Sequence, residues 1–140
     1  MATSAKEFRY AIAQDAAGRV TAEGVAALDL DDAWKPEHLV LAGLARCTLD
    51  SLRFHVQRGG GDFLATAEAV GRVTRREEDE RYAFVELTVD LDVELEPAPP
   101  DDELRKLLAQ AELDCFVGAS LRPSPTYRWR VNGREVASRG

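Results

Sequence analysis

Leu39-Val-Leu-Ala-Gly-Leu-Ala-Arg-Cys-Thr-Leu49 (LVLAGLARCTL) decides the architecture, because it carries one charged residue, Arg46, and is otherwise apolar or small on nearly every side. A surface helix carries a polar stripe, so a helix of this composition is central, wrapped by sheet or by a second subunit. Pro36 opens it, since a proline in the first helical turn gives up a hydrogen bond that no partner would accept. Gly59-Gly60-Gly61 closes it, which makes this the longest helix in the chain.

Before that helix, Phe8, Tyr10 and Ile12 alternate in KEFRYAIAQ, and Asp15-Ala-Ala-Gly18 reads as a turn. Arg19 to Thr21 and Val25 to Leu30 supply two more strands, so a three-stranded antiparallel meander is expected. After the helix come two long strands, Phe63 to Arg75 and Arg81 to Glu96, joined by a charged turn at residues 76–80. In the second, Val85, Leu87, Val89, Leu91, Val93 and Leu95 face one way and the acids Glu86, Asp90, Asp92, Glu94 and Glu96 the other. Pro97 to Pro100 stops the ladder, and Asp101 is the expected N-cap of a helix with Leu104, Leu107, Leu108 and Ala111 on one face. A short helix from Cys115 to Leu121 follows, and then one strand from Thr126 to Val136. Its Tyr127, Trp129 and Val131 point inward, and pairing Arg128 and Arg130 with the acidic strand would be favourable. The order predicts an α+β domain spanning residues 1–140, without a doubly wound parallel sheet.

The chain has 140 residues, 45% of them hydrophobic and 31% charged, which suits one globular domain. Its net charge of -7 disfavours nucleic acid and anionic membrane as partners. No apolar run is long enough to span a bilayer, and the opening MATSAKEFRY lacks the core of a signal peptide, so a cytoplasmic location is expected. Two cysteines make no disulfide framework and no CxxC pair. Cys47 and Cys115 are therefore either small buried hydrophobes or reactive thiols. His38 and His55 read as surface or interface residues, His55 being too far from Cys47 along the helix to act as its base. No metal-binding pattern stands out.

The segment Pro36-Glu37-His38-Leu39-Val40-Leu41-Ala42-Gly43-Leu44-Ala45-Arg46-Cys47 resembles the P-E-x-L-x-x-A-x-A-x-C helix of the OsmC/Ohr family of osmotically induced and organic hydroperoxide resistance proteins. Cys115-Phe116-Val117-Gly118-Ala119-Ser120-Leu121-Arg122 is similar to that family's C-P-x-S-N-S-L-R segment, with Phe116 in place of the proline and Gly118-Ala119 in place of Ser-Asn. The resemblance implies an intertwined homodimer of antiparallel sheets around paired central helices. It also implies a cysteine peroxidase acting on hydroperoxides. Cys47 would be the peroxidatic thiol, and Cys115 the resolving thiol that closes a disulfide on the sulfenic acid. No bound cofactor is implied, only an external thiol or dithiol reductant, a lipoyl group among the candidates.

A thiol with an ordinary pKa of ~8.5 is little ionised at neutral pH, so the reaction needs a cation beside the sulfur. The resemblance assigns that role to Arg19, in Gly18-Arg19, with Arg9 as the fallback, and makes Glu37 the residue that holds the arginine. Ten residues of straight helix separate Glu37 from Cys47 by ~15 Å. Either the helix bends at Gly43 or the arginine bridges the gap. The competing reading keeps the fold and makes the protein a non-catalytic small-ligand-binding dimer with inert cysteines, and the altered residues 116–119 favour it.

Overall fold

The computed structural model describes residues 5–138. The chain divides into two compact units, one ending at Pro36 and one beginning at Glu37. In the first unit, β1 (Ile12–Gln14), β2 (Arg19–Ala22) and β3 (Leu28–Asp29) form the expected antiparallel meander in that order. Its strands are shorter than the alternation suggests, since Phe8 and Tyr10 precede β1. The Asp15 carboxylate accepts the backbone N–H groups of Ala17 and Arg19, and Gly18 takes a φ of +85°, which closes the first turn.

In the second unit α1 (Pro36–Arg58) runs unbroken through Gly43. At its end the N–H groups of Gly59 and Gly61 bond Val56 O, that of Gly60 bonds Gln57 O, and Gly60 adopts a φ of +82° that a side chain would resist. This chain buries only one stripe of the helix, Leu44, Thr48, Ser51, Leu52 and Val56. Leu39 and Phe54 stay exposed and Val40, Leu41 and Ala45 are only half-buried, so part of the apolar surface of α1 is not covered by its own unit.

A four-stranded sheet in the order β4-β5-β6-β7 packs on that stripe, built from β4 (Phe63–Arg75), β5 (Tyr82–Leu95), β6 (Thr126–Val131) and β7 (Arg134–Val136). β4 and β5 pair antiparallel along their length, with a bulge where Arg72 faces Glu86 and Val73 faces Phe84. Val85 is the extra residue, so the strict alternation read along β5 stops there. Beside it Gly71 has no side chain, and the space is filled by the Phe84 ring next to Leu41 of α1. All neighbours in the sheet run antiparallel except β5 and β6, which run parallel. The connection between these two holds α2 (Asp101–Leu113) and α3 (Phe116–Ser120).

Leu104, Leu108 and Ala111 of α2 meet Leu44, Leu52 and Val56 of α1 and the inner sheet residues Val89, Leu91, Val93, Trp129 and Val131 in one core. Burying each large side chain stabilises the unit by about 1.5–3 kcal/mol. On the outer face Asp90 lies opposite Arg128 and Asp92 opposite Arg130, as the charge pattern predicts. Arg128 donates to both carboxylate oxygens of Asp90, at 2.6 and 3.0 Å.

Two local expectations are corrected. Pro100, not Asp101, is the N-cap residue of α2, because the Asp101 carboxylate is engaged by Arg134 at 2.7 Å. The final strand is a hairpin and not one strand, since Asn132 and Gly133 both take positive φ, +50° and +79°, as a tight two-residue turn requires. The Asn132 side chain then bonds the backbone of Leu95 in both directions, at 2.9 Å each.

Candidate active site

Cys47 and Cys115 are brought together by three elements. Cys47 lies on α1 between the buried positions Leu44 and Thr48, at the border of the core and half-buried. Cys115 is completely buried and occupies the N-cap of α3, where its extended backbone turns the chain out of α2. The two thiols are neighbours at the start of α3, and both are free.

Each sulfur also meets backbone N–H groups at the start of α3. Val117 N–H donates to Cys47 Sγ at 3.5 Å, and Gly118 N–H donates to Cys115 Sγ at 3.4 Å. Thr48 Oγ1 is 3.5 Å from Cys115 Sγ and donates its proton to Leu44 O at 2.9 Å. The hydroxyl therefore offers Cys115 a lone pair, and the thiol is the donor in that contact.

Burial pushes the Cys47 thiol above its ordinary value, and the proximity of Cys115 adds to the rise. The N–H groups of Val117 and Phe116 work in the opposite direction, with smaller effect. Tyr127 of β6 completes the cluster, its hydroxyl lying where a side chain at position 118 would stand, beside Cys115 Sγ. Burial and the neighbouring thiol hold that phenol far above its usual value, so it keeps its proton.

The other two expected site residues are Arg19 and Glu37. Arg19 belongs to β2 of the first unit, where its Nε pairs with Asp29 at 3.3 Å. Glu37 is exposed in the first turn of α1, where its charge suits the helix N-terminus. Because α1 is continuous across Gly43, the bend that would bring Glu37 to Cys47 does not occur.

Thr48, Gly118 and Tyr127 were not legible as site residues. Thr48 follows a cysteine on a helix, and Tyr127 reads as one more inward residue of a strand. His55 is mostly buried within the chain, with Nε2 2.7 Å from Asp114 Oδ2. Asp114, immediately before Cys115, also accepts from Gln110 at 2.8 Å.

Among the described residues no group of three or more His, Cys, Asp or Glu side chains could hold a metal ion, and no helix is long and apolar enough to cross a membrane.

An α+β unit with paired thiols between a long helix and a short one defines the class, and the sequence profile of the OsmC-like protein family matches residues 29–130. The chain belongs to that family. No curated protein sequence matches it. Among solved structures, an OsmC-like protein of unknown function from Vibrio cholerae superposes with a TM-score of 0.72 at 13% identity, covering 90% of this chain and 100% of the other. The organic hydroperoxide resistance protein OhrB of Bacillus subtilis gives a TM-score of 0.54 at 18% identity over 89% and 96%. An organic hydroperoxide resistance protein from Elizabethkingia anophelis, crystallised with thiocyanate, gives 0.61 at 18% over 90% and 96%. At these identities the likeness establishes the fold.

Proposed function

We propose that the protein is a thiol-dependent peroxidase that reduces hydroperoxides, organic ones in particular. The observation that carries this reading is the meeting of Cys47 and Cys115, far apart in sequence, as free thiols that accept adjacent N–H groups at the start of α3. The names of the hydroperoxide resistance proteins that share the fold agree with it.

Cys47, the less buried thiol, attacks as thiolate the terminal oxygen of the hydroperoxide. The O–O bond breaks, the alcohol leaves with a proton, and Cys47 becomes a sulfenic acid. Cys115 then attacks the Cys47 sulfur, an S–S bond replaces the S–O bond, and water leaves. An external thiol or dithiol, a lipoyl group among the candidates, returns both cysteines to thiols. Arg19 is the cation that offsets the rise burial imposes on Cys47, and Glu37 holds Arg19 in position. The working form is a homodimer. Exposed apolar residues on both units support this, among them Tyr10, Ile12 and Val25 in the first and Phe54, Leu64 and Val70 in the second. The reducing cytoplasm is the compartment in which such a thiol pair is recycled.

The second reading, a non-catalytic dimer that holds a small apolar ligand, is favoured by one observation, the raised thiol of Cys47. One equivalent of cumene hydroperoxide separates the two. Rapid loss of both free thiols is the peroxidase outcome, and their persistence is the outcome for inert cysteines.

A further inference from the structure

Gly118 lies one turn into α3 and is buried against Tyr127. A Cβ built at Gly118 would collide with the Tyr127 hydroxyl, while standing 3.3 Å from Cys115 Sγ and 3.5 Å from Tyr127 Cζ. The phenol oxygen thus occupies the space a side chain at position 118 would take, beside the buried sulfur. We infer that the Tyr127 hydroxyl, seated in the space that Gly118 leaves free, is the side-chain donor that holds and stabilises Cys115 Sγ for its attack on Cys47.

A proton inventory supports the assignment. The Thr48 proton is committed to Leu44 O, so Thr48 meets Cys115 with a lone pair and can hold the thiol but not, as oriented, the thiolate. Gly118 N–H donates to Sγ at 3.4 Å. Tyr127 brings a second proton from β6, on a phenol that burial keeps protonated. When Cys115 ionises, its charge therefore meets one N–H and one O–H donor at a completely buried sulfur, where hydrogen bonds to a charged atom are strong. Tyr127 transfers no proton: in the reaction with the sulfenic acid the proton of Cys115 leaves with the Cys47 hydroxyl as water.

This deepens the peroxidase reading by assigning the resolving half-reaction its own residue, and it is tested without hydroperoxide. Ellman's reagent converts Cys47 to a mixed disulfide and releases one thionitrobenzoate. Cys115 then attacks the Cys47 sulfur, the Cys47–Cys115 bond forms as the mixed disulfide breaks, and a second thionitrobenzoate leaves. In Tyr127→Phe the first release should be unchanged and the second slowed about tenfold or more, as expected for loss of a hydrogen bond to a charged group. Adding Gly118→Ser to Tyr127→Phe puts a hydroxyl back beside Sγ and should restore the second release, which a merely structural tyrosine would not explain. Gly118→Ala alone pushes the phenol off the sulfur and should slow it, so the inference stays testable should Tyr127→Phe fold poorly. An unchanged second release in Tyr127→Phe, or a double variant as slow as the single, would overturn the assignment. A wild-type chain that completes this exchange yet consumes no hydroperoxide overturns the peroxidase reading and leaves the role of Tyr127 standing.

Discussion

His55 Nε2 and Asp114 Oδ2 stand 2.7 Å apart, joining the last turn of α1 to the residue before Cys115. The same carboxylate oxygen accepts from Gln110, and Gln110 first, then His55, hold the Asp114 carboxyl below its usual range. A carboxyl lowered on folding contributes stability above its unfolded value of ~3.9, and that contribution disappears as pH falls through the lower folded value. Asp114→Asn should therefore destabilise the protein near neutral pH and flatten the acid limb. Urea midpoints measured from about pH 7 to about pH 2 check this. An acid limb as steep in Asp114→Asn as in the unaltered protein would show that other carboxylates carry it.

Cys47→Ser should abolish hydroperoxide consumption. Cys115→Ser should still perform the first step and accumulate a sulfenic acid that dimedone traps, visible by mass spectrometry. The opposite pattern would exchange the two roles.

Arg19→Ala should move the midpoint of iodoacetamide alkylation at Cys47 upward, each pH unit corresponding to ~1.4 kcal/mol of lost thiolate stabilisation. Glu37→Gln should do the same to a smaller degree, because it acts through the arginine. Since burial already raises this thiol, both variants should lose reactivity most at neutral pH and regain it in alkali. A midpoint indifferent to Arg19 would transfer the role to Arg9 or to an arginine of a second subunit.

Leu52 is wholly buried in the stripe of α1 that meets the core. Leu52→Ala should cost about 2–5 kcal/mol, from lost transfer energy and the cavity left behind, measurable by urea unfolding. A loss below about 1 kcal/mol would mean that the core closes over the gap.

Light scattering should report a mass near twice the 15.4 kDa of the chain. A mass near that of one chain at micromolar concentration would mean that the uncovered side of α1 and the exposed residues of the meander face solvent, and the dimer would be wrong.

The regular elements were legible wherever one periodicity ran unbroken. The alternation from Leu87 to Leu95 located β5, and Gly59 to Gly61 marked the end of α1. Charge pointed to Arg128 and Arg130 lying against the acidic strand, and the structure supplies the register, Asp90 opposite Arg128. The bulge at Val85 and the turn at Asn132-Gly133 were missed for opposite reasons. A bulge leaves no mark in hydrophobicity, whereas Asn-Gly is a strong hairpin signal that lay inside a run read as one strand. At the site, the two cysteines announced themselves by type, but the residues that surround them did not. Thr48, Gly118 and Tyr127 act through a meeting of three elements, and no spacing along the chain encodes a missing Cβ on one element filled by a phenol from another.

The parallel pairing of β5 with β6 also has a consequence for the order of events as the chain is made. Antiparallel neighbours can zip from a tight turn, but a parallel strand must wait for its whole crossover, here the stretch that carries α2, α3 and Cys115. Cys47 is translated before Cys115, on a helix that forms from local contacts, and Tyr127 arrives only with β6. The surroundings of Cys115 are therefore assembled last. A growing chain carries Cys47 without its counterpart until Cys115 is made, and the pair becomes a working couple only when the crossover has closed and β6 has docked.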